Sequence, residues 1–395
     1  MKARFRALQV TTLIVAASMT HIAVAVRAAQ EHETRDVKLE VEWSVSGDDV
    51  LFGYIEAADY GDDGTAYLLD SQTSQVLCIS PTGDLIRVFG RAGEGPGEFS
   101  QPVGIHVTED GRLIVLQASP ARVTVFSSEG AYLTSAPLQA AEDISLTIRA
   151  SDSVSGLIVL YTMESRYLAN SVENVHRVSS LSIGDASLTT LFSVNTASRS
   201  GGYVDTEENR AFGPWALTTD RHLCLAPEYD GYVIRIWNSS GTEQSTIKQD
   251  YSPRRKTGDE IAQQKKFNED IEKMMPGIDL PINPNDRDIR ELYRGPEATI
   301  LVVNSRQFKL RDETVLLTAD VLTVTGDVRG EVRLLAPFHK GVDTAFISGD
   351  RALVITGNLS AWRAMNQPTQ DKSKQSDVDV AIPEILSYRL PKHLD

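Results

Sequence analysis

This chain of 395 residues predicts an all-β fold of repeated four-stranded units, and three observations carry the prediction. Residues 64–83 (GTAYLLDSQTSQVLCISPTG) and 111–130 (GRLIVLQASPARVTVFSSEG) follow one pattern, 47 residues apart: glycine, apolar strand, polar break, second apolar strand, polar turn, glycine. The second half of that pattern returns at residues 233–241 (VIRIWNSSG) and 320–326 (DVLTVTG), at offsets of 111 and 196 from residues 122–130 and 124–130. The first strand, residues 37–45 (VKLEVEWSV), has no preceding partner, and the last, residues 385–390 (ILSYRL), has no following one. A period of roughly 40–50 residues with four strands per unit belongs to stacked propeller blades, which cannot bury their apolar faces alone. Six blades fill the chain. Pairing the N-terminal strand with the C-terminal blade removes both exposed edges.

From the start of the chain, Lys2, Arg4 and Arg6 precede an apolar run at 10–19, and small residues follow at Ala23/Ala25 and Val26/Ala28. Basic, apolar, then small is the order of a secretory signal peptide, expected over residues 1–28 with cleavage after Ala25 or Ala28. The run is shorter than the roughly 20 residues a spanning helix needs, and no cysteine follows it for lipidation. A protein exported to the periplasm or beyond, without a transmembrane anchor, is therefore expected. Its formal charge of −15 falls by four more units once Lys2, Arg4, Arg6 and Arg27 are removed. Such a chain repels phosphate backbones, which argues against a nucleic-acid partner.

Residues 37–395 are expected to form one domain. Strands covered on both faces read as continuous apolar runs, as at 113–116, 157–161, 300–303 and 352–356. Weaker units are expected at about 143–194 and 341–390. Gly83, Gly130, Gly241 and Gly326 supply the positive φ of the hairpin turns. An insertion at 253–277, between blades 4 and 5, breaks the strand pattern. Thr257 and Glu260 form a capping box there, and Ile261, Phe267, Ile271, Met274 and Met275 recur at helical spacing, so a helix docked by its apolar face is expected. A second insertion, 366–379 (NQPTQDKSKQSDVD), is too polar to order itself. Cys78 and Cys224 fall in blades 1 and 4, too far apart for a disulfide, and both lie inside apolar strands; two buried free thiols are expected.

Residues 90–133 (GRAGEGPGEFSQPVGIHVTEDGRLIVLQASPARVTVFSSEGAYL) resemble the NHL-type repeat of six-bladed propellers. Residues 212–217 (FGPWAL) and 226–237 (APEYDGYVIRIW) resemble a bacterial, exported branch of TolB-like propellers. The resemblance covers most of residues 40–335. It implies the fold more than an activity, since relatives include peptide-binding modules, sugar lactonases and amidating-type lyases. The aspartate that commonly ends the second strand of such repeats is present as Asp70, but Gln117 stands there in blade 2 and Ala226-Pro227-Glu228 in blade 4.

The glycine-rich loop 90–97 has no following helix and carries Glu94, with Glu98 just beyond it. It reads as an inter-blade connector rather than a phosphate cradle. Connectors surround one mouth of the ring, which makes Arg91, Glu94 and Glu98 candidate ligand contacts. Trp215, at a loop-to-strand junction, is the candidate exposed aromatic, whereas Trp237 is core by its equivalence to Phe126. His106, on the innermost strand of blade 2, is the sharpest metal candidate, since the resemblance implies metal-dependent enzymes that draw ligands from such positions. A metal site needs three or more converging ligands, and a hydrogen-bonded structural histidine competes with that reading. No GxSxG nucleophile elbow is present. Asn238 and Asn358 match glycosylation acceptors. The expectation is a non-enzymatic scaffold that binds a peptide, protein or glycan at one mouth. No cofactor is expected, although a divalent metal would accompany the alternative, a lyase or lactonase acting in the channel.

Overall fold

The structure, a computed structural model, describes residues 23–27, 34–139, 141, 143–169, 171–199, 213–274, 280–308, 313–366 and 382–394. It is all-β with a propeller-like arrangement of sheets. Three antiparallel meanders come first: Ile55–Tyr60 to Leu85–Phe89, Pro102–Val107 to Tyr132–Pro137, and Ser145–Val154 to Ser187–Arg199. A fourth runs from Trp215–Leu217 to Glu243–Gln249, with Ala23–Arg27 added parallel to its outer strand. Nine further strands form one sheet made of two further meanders with Thr34–Lys38 at its edge, and Arg91–Ala92 with Glu98–Phe99 forms a separate two-stranded ribbon. Ile289–Arg294 to Val328–Leu335 joins Thr344–Ser348, Arg351–Ile355, Glu384–Arg389 and Val41–Ser46 through the single parallel pair Arg294–Ser348.

Burial explains the apolar runs. Every residue of Ala66–Asp70, Leu113–Gln117 and Thr299–Asn304 is buried, because neighbouring sheets cover both faces. Apolar clusters form between successive meanders. One joins Leu69, Val76 and Cys78 of the first to Ile105 and Phe126 of the second, with Phe99 of the connecting loop between them. Another joins Leu353 and Ile385 of the last to Ile55, Leu68 and Leu77 of the first. Gly83, Gly130, Gly241 and Gly326 all have φ between 80° and 90°, as the hairpin turns require. At Gly130 a Cβ would also lie 2.7 Å from the Phe89 ring, so the turn needs glycine twice over.

The expected strand at 37–45 is divided. Thr34–Lys38 lies parallel on Val328–Leu335, held by Arg333 donating to both Asp36 carboxylate oxygens at 2.7 and 2.6 Å. Val41–Ser46 pairs antiparallel with Glu384–Arg389. The division has a packing cause. Val37 and Leu39 enter the cluster of the fifth and sixth meanders, whereas Trp43 and Val45 enter that of the sixth and first. The chain crosses between them at the exposed Glu40.

The helix of the first insertion is Gly258–Met274, capped as expected: Thr257 N donates to Glu260 Oε2 at 2.9 Å and Glu260 N to Thr257 Oγ1 at 3.3 Å. Its docking differs from expectation. No residue of it is buried, and its half-buried stripe is Ile261, Gln264, Asn268 and Ile271, leaving Phe267 and Met274 exposed. Polar ties hold it instead: Arg254 to Glu260, Lys256 to Gln264, and Asn268 to the Leu280 carbonyl. Met275–Gly277 lie outside the described residues, as does the second insertion except for Asn366. Asn366 ends a helix the pattern did not anticipate, Asn358–Asn366. No helix among the described residues is long and apolar enough to cross a membrane.

Cys78 and Cys224 are buried and free. Asn358 cannot serve as a glycosylation acceptor in this fold. It is 1% exposed, accepts from Ile55 N at 2.9 Å, and donates to the Ile55 carbonyl and Thr344 Oγ1 at 2.9 and 3.0 Å.

Candidate functional site

The first strands of successive meanders abut, so side chains near the ends of these strands meet. Asp59, His106, Asp152, Leu217 and Arg294 all stand at or near the last position of their strands and therefore share one axial end. They lace the meanders together. Asp59 Oδ2 accepts from Val107 N at 2.9 Å and Ser153 Oγ at 3.1 Å. His106 Nε2 lies 2.8 Å from Ser151 Oγ, and its Nδ1 lies 3.9 Å from Asp59. Asp152 accepts from Leu217 N at 3.2 Å and from Arg294 Nη2 at 2.5 Å. Arg294 donates further to the Leu217 and Ser153 carbonyls at 3.2 and 2.5 Å.

Taking these groups out of water shifts their proton affinities in opposite directions. Burial pushes the His106 imidazole down to about 4, with Arg294 adding to the effect and Asp152 opposing it. Burial pushes the Asp59 carboxyl up to about 6, against the amides of Val107 and Tyr60 and the charge of Arg294. At neutral pH the pair is a carboxylate beside a neutral imidazole. Among the described residues no group of three or more His, Cys, Asp or Glu gathers where it could hold a metal ion. His106 links two strands through its hydrogen bond to Ser151.

The candidate loop residues lie where the second meander's first strand begins, at the opposite axial end. Arg91–Ala92 pairs parallel with Glu98–Phe99. Arg91 Nε donates to Glu98 Oε1 at 2.8 Å, Gly95 N to Glu98 Oε2 at 2.9 Å, and Arg122 Nη2 to Glu94 Oε2 at 2.9 Å. Arg91 and Glu98 thus fold their own loop, and Glu94 ties it to Arg122 of the second meander. Gly90, at φ +88°, is required because any Cβ would collide with the buried Phe99 ring, which gives the glycines a packing role.

The strand-end polar positions organise turns in the same way. Asp70 accepts from Gly53, Gln72 and Thr73 amides at 2.7, 2.9 and 3.0 Å. Gln117 accepts from Ser100 N and Arg122 Nη2. At Gln117 the side-chain oxygen does the accepting, while its Nε2 is buried without a partner among the described residues.

Trp215 opens the first strand of the fourth meander, is half-buried, and lines a cavity of about 340 Å3 with Tyr161, Arg149, Arg290, Glu291 and Tyr293. A larger cavity of about 1010 Å3 lies between the fifth and sixth meanders. Glu291 and Tyr293 line both. Tyr293 donates its hydroxyl to Glu291 Oε2 at 2.9 Å, and burial together with Glu291 pushes its phenol well above the ordinary value, so it remains a donor. The structure brings Trp215 to a cavity, but joins it to none of Arg91, Glu94, Glu98 or His106. Sequence reasoning missed Asp59, Asp152, Glu291, Tyr293 and Arg294. One signal was present: Asp59 precedes His106 by the same 47 residues that separate the repeats.

Residues 45–147 match a family model described as a 6-bladed beta-propeller. No curated protein sequence matches the chain. Among solved structures it is similar to virginiamycin B lyase from Staphylococcus aureus, at 9% identity and TM-score 0.42, over 89% of this chain and 99% of that one. It is also similar to regucalcin, a calcium-binding protein from Agrobacterium tumefaciens, at 9% identity and TM-score 0.42, over 91% and 97%. A third is a member of the duf4221 family from Bacteroides vulgatus, at 10% identity and TM-score 0.45, over 89% and 97%. Likeness at this level says nothing of activity.

Proposed function

We propose that this chain is an exported six-bladed propeller of the NHL and TolB-like type, closed by its N-terminal strand and carrying one helical insertion between blades 4 and 5. It acts as a non-enzymatic scaffold that binds a peptide, protein or glycan at the axial end where the first strands begin. One observation carries the reading. At one axial end the strand-end side chains satisfy one another, while two cavities share the Glu291–Tyr293 wall along the first strand of the fifth meander. Concave sites with a few polar groups among apolar walls are where ligands bind.

Arrays of peptides and glycans probed with the purified full chain and with Trp215→Ala test the reading. The expected result is a set of binders weakened at least about tenfold by the substitution, since aromatic anchors dominate such sites. Binding indifferent to Trp215→Ala and to Glu291→Gln would move the site elsewhere. Export is tested by fusing residues 1–36 to a periplasm-dependent reporter. The lyase or lactonase alternative predicts a stoichiometric divalent metal in the purified protein, lost with His106→Gln, and elemental analysis decides it.

A further inference from the structure

The outer edges of the sheets differ from one another. Among the described residues the first and second meanders end on bare outer strands, Leu85–Phe89 and Tyr132–Pro137, in which no residue is buried. The outer strands of the fourth and fifth, Glu243–Gln249 and Val328–Leu335, each carry an added parallel strand and each bury two residues. Ala23–Arg27 covers the fourth in unbroken register, from Ala23 opposite Ser245 to Arg27 opposite Gln249. Thr34–Lys38 covers the fifth in the same way, from Thr34 opposite Glu331 to Lys38 opposite Leu335.

The two added strands have different fates. Thr34–Lys38 lies beyond the cleavage expected after Ala25 or Ala28, so it stays with the exported chain. The same cleavage removes three or all five residues of Ala23–Arg27. Glu243–Gln249 then loses its neighbour, and its outward N–H and C=O groups become a row without partners. Such a row is a template on which another chain adds a strand. Nothing in the edge blocks addition: residues 243–249 contain no proline, and the register that Ala23–Arg27 follows contains no bulge. Its largely polar sequence, EQSTIKQ, suits an edge that spends time in water.

We propose that processing opens this edge and that an extended segment of a partner protein takes the place of Ala23–Arg27. The segment joins parallel and is rich in small and β-branched apolar residues, as AVAVR is. The inference rests on the export proposed above and the cleavage that accompanies it. Backbone hydrogen bonds along the edge supply the affinity, as in strand addition generally. In the unprocessed chain only residues 28–33 separate Ala23–Arg27 from the strand at Thr34–Lys38. A tether that short holds the added strand at an effective concentration on the order of millimolar, which closes the edge to partners. Cleavage therefore couples binding competence to export.

The test compares the chain recovered from the periplasm, its N-terminus read by mass spectrometry, with the full chain made by cell-free synthesis. The probe is a fluorescein-labelled peptide of residues 22–29, IAVAVRAA, followed by fluorescence anisotropy. The processed chain should bind it at least about tenfold more tightly than the full chain, and amide exchange should slow over Glu243–Gln249. Two N-methylated peptides check the pairing. Alternate residues of a parallel strand turn their N–H groups to the edge, so methylation at Ala23 and Ala25, or at Val24 and Val26, should abolish binding in one case and spare it in the other. No binding, equal binding to both chains, or equal effects of the two methylation patterns overturns the inference while export stands. A processed chain that dimerises and ignores the peptide also overturns it, giving the edge to a second copy. A recovered chain that still carries residues 23–27 overturns the cleavage, and the inference with it.

Discussion

Replacing Asp59 by asparagine should unmask an acid sensitivity that the wild-type chain conceals. His106 has a folded pKa of about 4 against an ordinary 6.5, so between those values the unfolded chain binds the proton and stability falls as pH drops. Asp59 has a folded pKa of about 6 against an ordinary 3.8, so in nearly the same window the folded chain binds the proton and stability rises as pH drops. At about 1.4 kcal/mol per unit, His106 contributes a loss of about 3 kcal/mol from pH 7 to pH 4, and Asp59 a gain of at most about 3 kcal/mol. With 23% of the Asp59 side chain open to solvent, its gain is the smaller of the two. The two nearly cancel.

Their shifts arise mainly from burial and not from each other, so single substitutions separate them. Relative to the wild type, Asp59→Asn should lose about 2–3 kcal/mol between pH 7 and pH 4, and His106→Gln should gain about 3 kcal/mol. The double variant should return to the flat profile. Urea denaturation at pH 7, 6, 5 and 4 measures all four chains. Profiles for Asp59→Asn and wild type that run parallel within about 0.5 kcal/mol, the precision of such extrapolations, would refute the argument.

Asn358→Ala removes a buried bridge between the last meander and the first, and should lower global stability by about 2–4 kcal/mol in denaturant melts, because the Ile55 amide and carbonyl lose their partner. Trp43→Ala, in the cluster where the N-terminal strand meets the first and last meanders, should cost about 3–5 kcal/mol by the same assay. Glu260→Ala should cost about 1 kcal/mol of local helix stability, visible as faster amide exchange over Gly258–Met274 with an unchanged melting temperature, since that helix buries no residue. Both thiols should resist alkylation at pH 8 until denaturant is added. Burial pushes Cys78 up to about 11 and Cys224 higher still, so almost no thiolate forms in the folded state.

Much of the architecture was legible in the residues because it depends on local pattern. The 47-residue offset, the turn glycines at positive φ, the Thr257–Glu260 cap and the buried Trp237 each follow from chemistry within one hairpin or one helical turn. The site was far less legible. Arg91, Glu94 and Glu98 carry the charges a ligand contact would, but contacts within the loop and to Arg122 consume them. His106 has a metal ligand's chemistry, but its neighbours Ser151 and Asp59 come from other meanders, 45 and 47 residues away in sequence. The helix stripe was misread because Gln264 and Asn268, both polar, face the protein in place of Phe267 and Met274.

Repetition, charge and turn chemistry are properties of short stretches of chain, and the amino-acid order alone was enough to establish them, and with them the all-β class and the free thiols. Which polar side chains converge was settled only when the sheets packed. Glu291 and Tyr293 become a shared wall, and Asp59, His106, Asp152 and Arg294 a shared network, because first strands from distant parts of the chain abut. Burial is a property of the assembled structure. It decides which carboxylate organises a turn, which is held between strands, and which faces a cavity.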